Sequence, residues 1–397
     1  MLESIYIGMS GLTAYAKGLQ TISNNVANLN TAGFKTSTPH FADLYYGEQF
    51  ARSAPGNPNT MQFGSGVEYG YSSLNFAQGD LRGSDGQLDL AIQGNGFLTL
   101  LDGDTPRYAR TGQFSVGNDG FIEDKSTGLK LAALTASGKL GPISLAGKQI
   151  NPPQATTVIQ FSDNLSSGST NFSIPNVDVY DANGGKHTLT IAFEPDSSIV
   201  PGRWQVTVTD ENSVPIQQGT LQFNGGIPEP GRDQIDFTLT SADAPPLTVT
   251  LDFSTGVTNF SAGSVSSLRV SSADGYATGT LSSMNIDVDG QLVLQYSNGQ
   301  TDTLGAIALA SFSNPQQLVQ QGNGLFDASH AMPPQYRASN GAGVGTLLAG
   351  ATEASNVDLS TEFGQLILVQ RGFQASSQVI STANEMIMQL FQMRGQG

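Results

Sequence analysis

The sequence predicts a mainly β fold with α-helical termini, in which discontinuous β-domains are nested around a central inserted β-domain. Apolar residues recur at helical spacing at both ends of the 397-residue chain. The middle alternates apolar and polar residues, and its short runs are bounded by Gly, Asn and Asp. A chain of this length can bury two or three separate cores, and we expect its two terminal helices to pair as a coiled coil.

The N-terminal helix is predicted from a heptad-like stripe. Apolar residues between Ile5 and Val26 are three or four positions apart, which places them on one helix face. Three glycines in this stretch each weaken an isolated helix by up to about 1 kcal/mol, so we expect packing to supply its order. The interface positions predicted on this helix are Ile5, Met9, Leu12, Leu19 and Ile22.

The C-terminal helix is predicted from a stricter repeat. Apolar residues fall every seven positions from Leu359 to Ile387, and a second set lies three positions later, as in an a/d seam of about four heptads. Ser355, Asn356 and Asp358 offer N-cap oxygens just before it. The interface positions predicted on this helix are Leu366, Val369, Phe373, Ile380, Ile387 and Leu390.

Both helical segments are nearly uncharged. A solvated coiled coil carries Lys and Glu beside its seam, whereas these segments carry Ser, Thr, Asn and Gln there. That pattern indicates burial among many neighbouring helices, although a plain antiparallel pair that closes one globular domain would also produce it. The charged residues between Met1 and Asn30 and after Gly364 are Glu3, Lys17, Arg371, Glu385 and Arg394.

The middle of the chain is predicted to form strands and hairpins. Strand-like residues flank turn signals at 118–120, 183–185 and 289–290. The runs 204–209 and 247–253 alternate by two. No segment of a dozen residues with helical spacing interrupts these strands, so we expect antiparallel rather than parallel pairing.

Composition divides the chain into four predicted parts. Shifts near 142–153 and 261–275 bracket a block rich in Thr, Ser and Asp, which we interpret as an inserted domain. The predicted domains are a terminal helical domain (1–29 and 360–397), an extended linker region (30–68 and 329–359), a discontinuous β-domain (69–145 and 274–328) and an inserted β-domain (146–273).

Charge and composition disfavour several partners. The chain has 17 Lys and Arg against 33 Asp and Glu, a net charge of −16, so nucleic acid and anionic membranes would be repelled. It has no cysteine, which excludes a disulfide scaffold or a thiol nucleophile. No apolar run reaches the length of a membrane span, and residues 1–18 lack the features of a signal peptide. We therefore expect no membrane insertion and, if the protein leaves the cell, a route without a cleaved signal peptide.

No motif predicts catalysis or a bound cofactor. His40, His187 and His330 are far apart in sequence, and none has a neighbour at metal-ligand spacing. Residues 287–290 begin like a calcium loop but lack the later ligands, so a hairpin turn is favoured. Residues 341–345 resemble a nucleotide loop without its strand or Lys, so a flexible linker is favoured. We expect no catalytic, cofactor-binding or metal residue and no cofactor.

The segment from Ile22 to Lys35 (ISNNVANLNTAGFK) resembles the N-terminal motif of flagellar rod and hook subunits. Its asparagines can bond backbone groups where a helix ends, its glycine permits a sharp exit, and the following phenylalanine anchors the chain. Segments 88–114, 304–326 and 353–374 also resemble parts of this family. The motif adds Asn24, Asn25, Asn28, Gly33 and Phe34 to the predicted interface with other subunits.

Within this family the inserted block favours a hook subunit, since distal rod subunits share the terminal motifs but are shorter and lack the block. The resemblance implies a non-enzymatic subunit that polymerises into a curved flexible tube and transmits torque from rod to filament. The terminal helices would form the inner tube and the inserted block an outer domain. A distal rod subunit, a secreted β-rich adhesin, or an enzyme with a dispersed site are the alternatives.

The resemblance also implies a set of partners and a location. The partners are other copies of this chain in a helical homopolymer, the flagellar rod, the hook cap, the hook-filament junction proteins and the type III export apparatus. The location is the extracellular hook of the bacterial flagellum.

Overall fold

The structure is a computed structural model that describes residues 2–50, 60–135, 138–196, 200–240 and 244–394. Part of the predicted linker, residues 51–59, lies outside the described residues. The chain forms two compact units. The first unit comprises Met1–Ala146, Met284–Val293 and Thr303–Gly397, and the second comprises Gly147–Ser283 and Leu294–Asp302.

Two long helices lie in the first unit, as the heptad stripes predicted. Helix α1 spans Leu2–Ala27 and helix α2 spans Leu359–Arg394, and they pack against each other. Asp358 caps α2, since its carboxylate accepts the Ser360 N–H at 2.9 Å and the Thr361 hydroxyl at 3.0 Å. The Ser360 bond, followed by the Thr361 bond, holds the pKa of Asp358 below its ordinary value. The predicted helical termini, their pairing and the N-cap are thus confirmed.

Twelve strands follow α1 in the first unit. The segment 30–68, predicted to be an extended linker, contains three of them and the start of a fourth, and all four lie in antiparallel pairs. The Val67 N–H and the Tyr69 hydroxyl bond Ser10 and Thr21 of α1. The strands are β1 Ser37–Asp43, β2 Tyr46–Phe50, β3 Thr60–Gly64, β4 Val67–Leu74, β5 Leu81–Gly83, β6 Asp89–Gln93, β7 Phe97–Asp102, β8 Thr105–Ala109, β9 Thr111–Val116, β10 Ile122–Asp124, β11 Lys130–Leu134 and β12 Leu140–Pro142.

The second unit contains two five-stranded sheets around one apolar core. The alternation predicted at 204–209 and 247–253 is confirmed, because every second residue there is buried. The strands are β13 Ile150–Asn151, β14 Val158–Asn164, β15 Phe172–Tyr180, β16 Lys186–Pro195, β17 Arg203–Thr209, β18 Pro215–Asn224, β19 Ile227–Pro228, β20 Gln234–Leu239, β21 Leu247–Asp252, β22 Val257–Thr258 and β23 Arg269–Ala273.

One expectation about this unit was wrong. Strand β14 runs parallel to β21 and to β22, with Val158 opposite Thr250 and Asp163 opposite Val257. A parallel pair needs a long crossover, which is usually a helix. Here the crossover between β14 and β21 consists of the intervening strands, so the absence of helical segments did not exclude parallel pairing.

The rest of the chain belongs mainly to the first unit and ends in α2. Strand β6 pairs with β9 and with β31 (Thr346–Ala349), β7 pairs with β8, β11 and β27 (Leu309–Ser311), and β5 pairs with β32 (Ala351–Glu353). A single 3-10 turn, Pro315–Gln317, is capped by Asn314. The remaining strands are β24 Gly279–Ile286, β25 Gln291–Tyr296, β26 Thr301–Ile307, β27 Leu309–Ser311, β28 Val319–Gly322, β29 Leu325–Asp327, β30 Gln335–Arg337, β31 Thr346–Ala349 and β32 Ala351–Glu353.

The predicted hairpins are present where turn residues marked them. The turn at 118–120 joins β9 to β10, and Gly120 has the positive φ of +79° that such a turn favours. The turn at 183–185 joins β15 to β16. Asp287 accepts the N–H groups of Asp289 and Gln291, so its carboxylate serves the hairpin turn rather than a calcium loop.

Candidate functional site

The helix pair is antiparallel, and glycines bring its two backbones close together. A Cβ atom at Gly8 would lie 2.6 Å from Ile380 Cγ1 and 3.2 Å from the Ser376 carbonyl oxygen. One at Gly372 would lie 2.7 Å from the Tyr15 ring. Real Cβ atoms are not found at 2.6–2.7 Å from another heavy atom, so each glycine admits a side chain of the facing helix. The glycines that weaken the isolated helices therefore permit the contact that orders them.

Helix α2 continues past the start of α1. It has 36 residues against 26 in α1, and Ser4 near the start of α1 shares a groove with Ala383 and Met386. We call residues 386–393 the overhang. Its side chains are about half exposed or more, apart from half-buried Ile387: Met386, Met388, Leu390, Phe391 and Met393. An apolar helix end of this kind is a surface to which another protein chain can bind.

Other exposed apolar side chains lie along the rest of the helix pair. Tyr6 and Met9 of α1 are 62% and 56% exposed, and Leu368 of α2 is 71% exposed. Phe363 and Ile367 are each 51% exposed. The pair thus buries one apolar seam within the chain and presents further apolar area outward.

The predicted interface residues fall into three groups by burial. Those with free surface are Met9, Asn24, Phe373 and Leu390, and the half-buried ones are Ile5, Leu12, Leu19, Asn28, Leu366, Ile380 and Ile387. The others are buried within the chain: Ile22, Asn25, Gly33, Phe34 and Val369. These five act through the shape of the monomer rather than through a surface that another copy could touch.

Asn25 is the motif residue whose side chain connects α1 to β1 and to α2. Its amide donates to the Ser37 carbonyl at 2.9 Å and accepts the Ser37 N–H at 3.0 Å, which fixes the start of β1 against the end of α1. The same amide nitrogen lies 3.1 Å from both carboxylate oxygens of Glu362 in α2. Burial raises the pKa of Glu362, and the Asn25 bond opposes that rise. One buried side chain therefore joins both helices to the first strand.

The other motif residues end α1 as predicted. The Asn28 amide donates to the Asn24 carbonyl at 2.9 Å and accepts the Thr31 hydroxyl at 3.0 Å. Gly33 has a φ of +68°, so the sharp exit uses the conformation that glycine favours. Phe34 is 9% exposed and anchors the segment that follows.

A buried ionic cluster, which we call the clasp, lies directly after the motif and comprises Lys35, Arg110 and Glu353. Lys35 Nζ lies 2.5 Å from Glu353 Oε1, and Arg110 Nε lies 3.0 Å from Glu353 Oε2. The side chains of Lys35 and Glu353 are fully buried, and that of Arg110 is 4% exposed. Burial lowers the pKa of Lys35, while the Glu353 carboxylate opposes that shift. The clasp joins the exit from α1 and the entry to α2 to the β-strands between them.

Backbone groups complete the clasp. Lys35 Nζ donates to the Ala77 carbonyl at 2.8 Å, and the Gly79 N–H donates to Glu353 Oε1 at 2.9 Å. The guanidinium of Arg110 donates to the carbonyls of Ile92, Gly94 and Gly96. Every charged group of the clasp thus has several polar partners, as buried charges require.

Asn356, three positions after Glu353, belongs to the same junction. It was predicted to offer an N-cap oxygen, but its side chain accepts the Thr36 N–H at 2.9 Å and donates to the carbonyls of Asn75 and Ala77. The cap is provided by Asp358 instead. The amide of Asn356 pairs the two terminal segments over a second set of hydrogen bonds.

Sequence reasoning assigned no role to Lys35, Arg110, Glu353 or Glu362. The sequence offered one weak indication of the clasp. Cations are scarce in this acidic chain, and Lys35 and Arg110 both fall inside segments that resemble the family. Their common partner, Glu353, is remote in sequence from both. Only the fold shows that the three charges meet.

The histidines and acidic residues form no group suited to a metal ion in the part of the chain that the structure describes. Among these residues no three His, Cys, Asp or Glu side chains lie close enough together to hold a metal ion. His187 Nε2 lies 3.0 Å from Asp181, whose carboxylate also accepts the N–H groups of Asn183 and Gly185 in the hairpin turn. These bonds, with that of His187 first, hold the pKa of Asp181 below its ordinary value.

Neither of the two described helices is long and apolar enough to cross a membrane.

The close contact at Gly8 predicts that a Gly→Ala substitution, which ordinarily stabilises a helix, destabilises this one. Gly8→Ala raises intrinsic helix propensity by about 1 kcal/mol, yet we expect it to destabilise the helix pair, and Gly8→Leu to do so by about 1–3 kcal/mol through overpacking. Gly364→Ala in α2 is the matched control, because a Cβ atom there meets nothing within 4 Å, and we expect it to stabilise. Thermal unfolding followed by circular dichroism at 222 nm measures both. Stabilisation by Gly8→Ala would contradict the contact.

Three family models match the chain. The flagella basal body rod protein model matches residues 5–35, and the flagellar basal body rod FlgEFG protein C-terminal model matches residues 348–393. The flagellar basal body protein FlaE D2 domain model matches residues 148–276. The first two cover the helix pair, the motif and Glu353.

Full-length relatives are also similar. The flagellar hook protein FlgE of Escherichia coli (strain K12) is 31% identical over 97% of this chain and 98% of its own length. The flagellar hook protein FlgE of Borreliella burgdorferi is 28% identical over 99% of this chain and 100% of its own length. The crystal structure of Helicobacter pylori flagellar hook protein FlgE2 gives a TM-score of 0.47 at 14% identity, over 69% of this chain and 99% of that one.

Paired terminal helices with exposed apolar surface, together with the family models and relatives that match both ends and the middle of the chain, define a structural subunit rather than an enzyme. The similarity to full-length relatives adds the particular family. The chain belongs to the flagellar hook protein family and is a structural component of the hook.

Proposed function

We propose that copies of this chain polymerise through their terminal helices into a curved, flexible tube that transmits torque from the flagellar rod to the filament. In this proposal the helix pair (1–29 and 360–397) forms the inner tube. The discontinuous β-domain and the inserted domain (146–273) lie farther out. Residues 30–68 and 329–359 connect the layers.

The observation that carries the proposal is the overhang. Four of its apolar side chains, Met388, Leu390, Phe391 and Met393, are half exposed or more, and they lie beyond the groove that Ser4 of α1 shares with Met386. Exposing them to water costs roughly 25 cal/mol for each Å² of apolar surface, so contact with a second copy is favourable. The overhang of one copy would meet a different surface of the next, and such head-to-tail contacts produce open helical polymers.

Charge supports assembly through the same helices. Copies with a net charge of −16 repel one another, and the repulsion is weakest where few charges lie. Apart from Arg371, Glu385 and Arg394, α2 is uncharged after Gly364. Uncharged apolar faces therefore allow close approach of acidic chains.

Bending would take place in the outer contacts. A curved rotating tube must lengthen and shorten each row of subunits once per turn. Interdigitated apolar seams resist such changes, whereas polar and hydrated contacts exchange partners at low cost. We assign the sliding contacts to the polar inserted domain and the stiff layer to the helices.

The finer partners and the location also belong to this proposal. They are the flagellar rod, the hook cap, the hook-filament junction proteins and the type III export apparatus, and the location is the extracellular hook reached without a cleaved signal peptide. Support comes from the family itself and from the rod-protein models that match both termini.

The overhang supplies the experiment. We expect Phe391→Asp to raise the protein concentration needed for tube formation at least about tenfold, because burying a phenylalanine is worth about 1.5–3 kcal/mol and each 1.4 kcal/mol is a factor of ten. Gln389→Asp is the matched control, since it adds the same charge in the overhang without removing apolar surface. Sedimentation and negative-stain electron microscopy measure the tubes. Unchanged assembly of Phe391→Asp would refute a role for the overhang.

A further inference from the structure

We propose that Glu353 is a positioning residue whose carboxylate makes docking of the segment after α1 conditional on the arrival of the C-terminal segment. The clasp would thus couple the two ends of the chain, because the segment after α1 docks fully only when Glu353 is in place. This inference concerns the monomer and does not depend on how copies assemble.

The charge balance of the clasp is its first support. Lys35 and Arg110 are two cations in a site that excludes water, and Glu353 is the carboxylate that both of them contact. Without Glu353, the ammonium of Lys35 would keep the Ala77 carbonyl as its one hydrogen-bond acceptor among the described residues. A buried charge left without its counter-charge strongly disfavours the folded arrangement.

The positions of the three residues in the chain are the second support. Lys35 and Glu353 are 318 positions apart, and Arg110 and Glu353 are 243 apart. Glu353 is the last residue of β32, six positions before α2 begins. The carboxylate therefore arrives together with the segment that leads directly into the C-terminal helix.

Backbone bonds show what the carboxylate positions. The Gly33 N–H donates to the Glu353 carbonyl at 2.7 Å, and the Thr36 N–H donates to the Asn356 side chain at 2.9 Å. The Glu353 N–H donates in turn to the Thr111 hydroxyl. With Glu353 held by Arg110, the segment 33–36 docks beside it and directs α1 toward α2.

The two explanations of the clasp, charge balance and packing alone, rank the variants Glu353→Gln and Lys35→Met in opposite order by how strongly they disturb docking. Glu353→Gln keeps the size and an acceptor oxygen but leaves two buried cations unopposed. Lys35→Met removes a cation and leaves Arg110 and Glu353 as a balanced pair. If charge balance governs docking, the nearly isosteric Glu353→Gln is the more damaging change. The double variant recovers in part, because it leaves one buried cation, Arg110, unopposed instead of two. If the clasp only fills space, Glu353→Gln is the milder change.

Hydrogen exchange of the full-length monomer, read by mass spectrometry over residues 33–37 and 353–357, is the test. We expect Glu353→Gln to accelerate exchange there at least about a hundredfold and Lys35→Met to accelerate it less than about tenfold. The exchange rate of Lys35→Met/Glu353→Gln should lie between those of the two single variants, because only Arg110 is then unopposed. Fluorescence of Trp204, the single tryptophan, reports whether the second unit stays folded in each variant.

Asp119→Asn provides the matched control, because Asp119 forms a 2.6 Å pair with Lys130 at the surface, where both side chains are more than 30% exposed. We expect native exchange in both segments. Native exchange in Glu353→Gln would overturn the inference, as would a double variant at least as fast as Glu353→Gln. Tube formation is measured separately, so a failed exchange test leaves the proposed assembly standing, and the reverse also holds.

Discussion

Asn25→Ala is expected to lower the free energy of unfolding of the first unit by about 3–5 kcal/mol. The substitution leaves the Ser37 N–H and carbonyl without their partner and removes the hydrogen bond to buried Glu362. Each buried polar group left unsatisfied costs about 1–3 kcal/mol, and a charged one costs more. Denaturant unfolding followed by circular dichroism measures the loss.

The neighbouring Asn24 is the matched control. It is the same residue type in the same motif, but it is exposed, and its side chain accepts a hydrogen bond from Asn28 at the surface rather than joining separate elements. We expect Asn24→Ala to cost less than about 1 kcal/mol. If the two substitutions lower the unfolding free energy equally, the motif does not stabilise the fold through the buried hydrogen bonds of Asn25.

The stability of Asn25→Ala should also depend on pH. Burial already raises the pKa of Glu362, and Asn25 opposes the rise, so Asn25→Ala should raise it further. A carboxyl whose pKa is higher in the folded state than in the unfolded state destabilises the fold once pH exceeds its unfolded value of about 4.5, and the penalty is absent below it. The difference between Asn25→Ala and the parent should therefore shrink as pH falls from 7 toward 4.5.

The fold was largely predictable because its signals are local. The heptad spacing that marks α1 and α2 reflects helix geometry, and the turns at 118–120 and 183–185 reflect backbone conformations that Gly and Asn favour. The parallel pairing of β14 with β21 was not predictable in this way. It depends on which strands meet after a long excursion of the chain, and no local pattern encodes that choice.

The junction of the two termini was only half predictable. The asparagines at the end of α1 were identified because their hydrogen bonds are short-range, as the Asn28 and Asn24 pair shows. The clasp was missed because its residues are hundreds of positions apart. The role of Gly8 was missed because helix propensity, a local quantity, argues against glycine, whereas the facing helix requires it.

Removal of residues 152–278 with a short Gly-Ser bridge is expected to leave the first unit folded and to yield tubes with altered or lost curvature. Asn151 and Gly279, the residues that the bridge would join, are opposite each other in the antiparallel pair of β13 and β24. A short bridge between adjacent strands closes a small loop, so the unfolding free energy of the first unit should change by less than about 1 kcal/mol. The deletion removes the whole apolar core of the second unit, including Trp204.

Val206→Asp tests whether an unfolded second unit has the same effect on tube curvature as the removal of that unit. Val206 is fully buried in the second unit, and a charge there disrupts that core while the chain stays intact. If folded outer contacts set the curvature, the deletion and Val206→Asp should give the same straightened or altered tubes, because both retain the helix pair that we propose as the inner layer. Tubes with native curvature in the deletion variant would place bending within the first unit. Unfolding of the first unit after deletion would show that the inserted block belongs to a common core.

High-resolution images of a curved native tube would then show whether distances between copies vary around the circumference more at the second unit than at the helices, as sliding outer contacts over a stiff inner layer require.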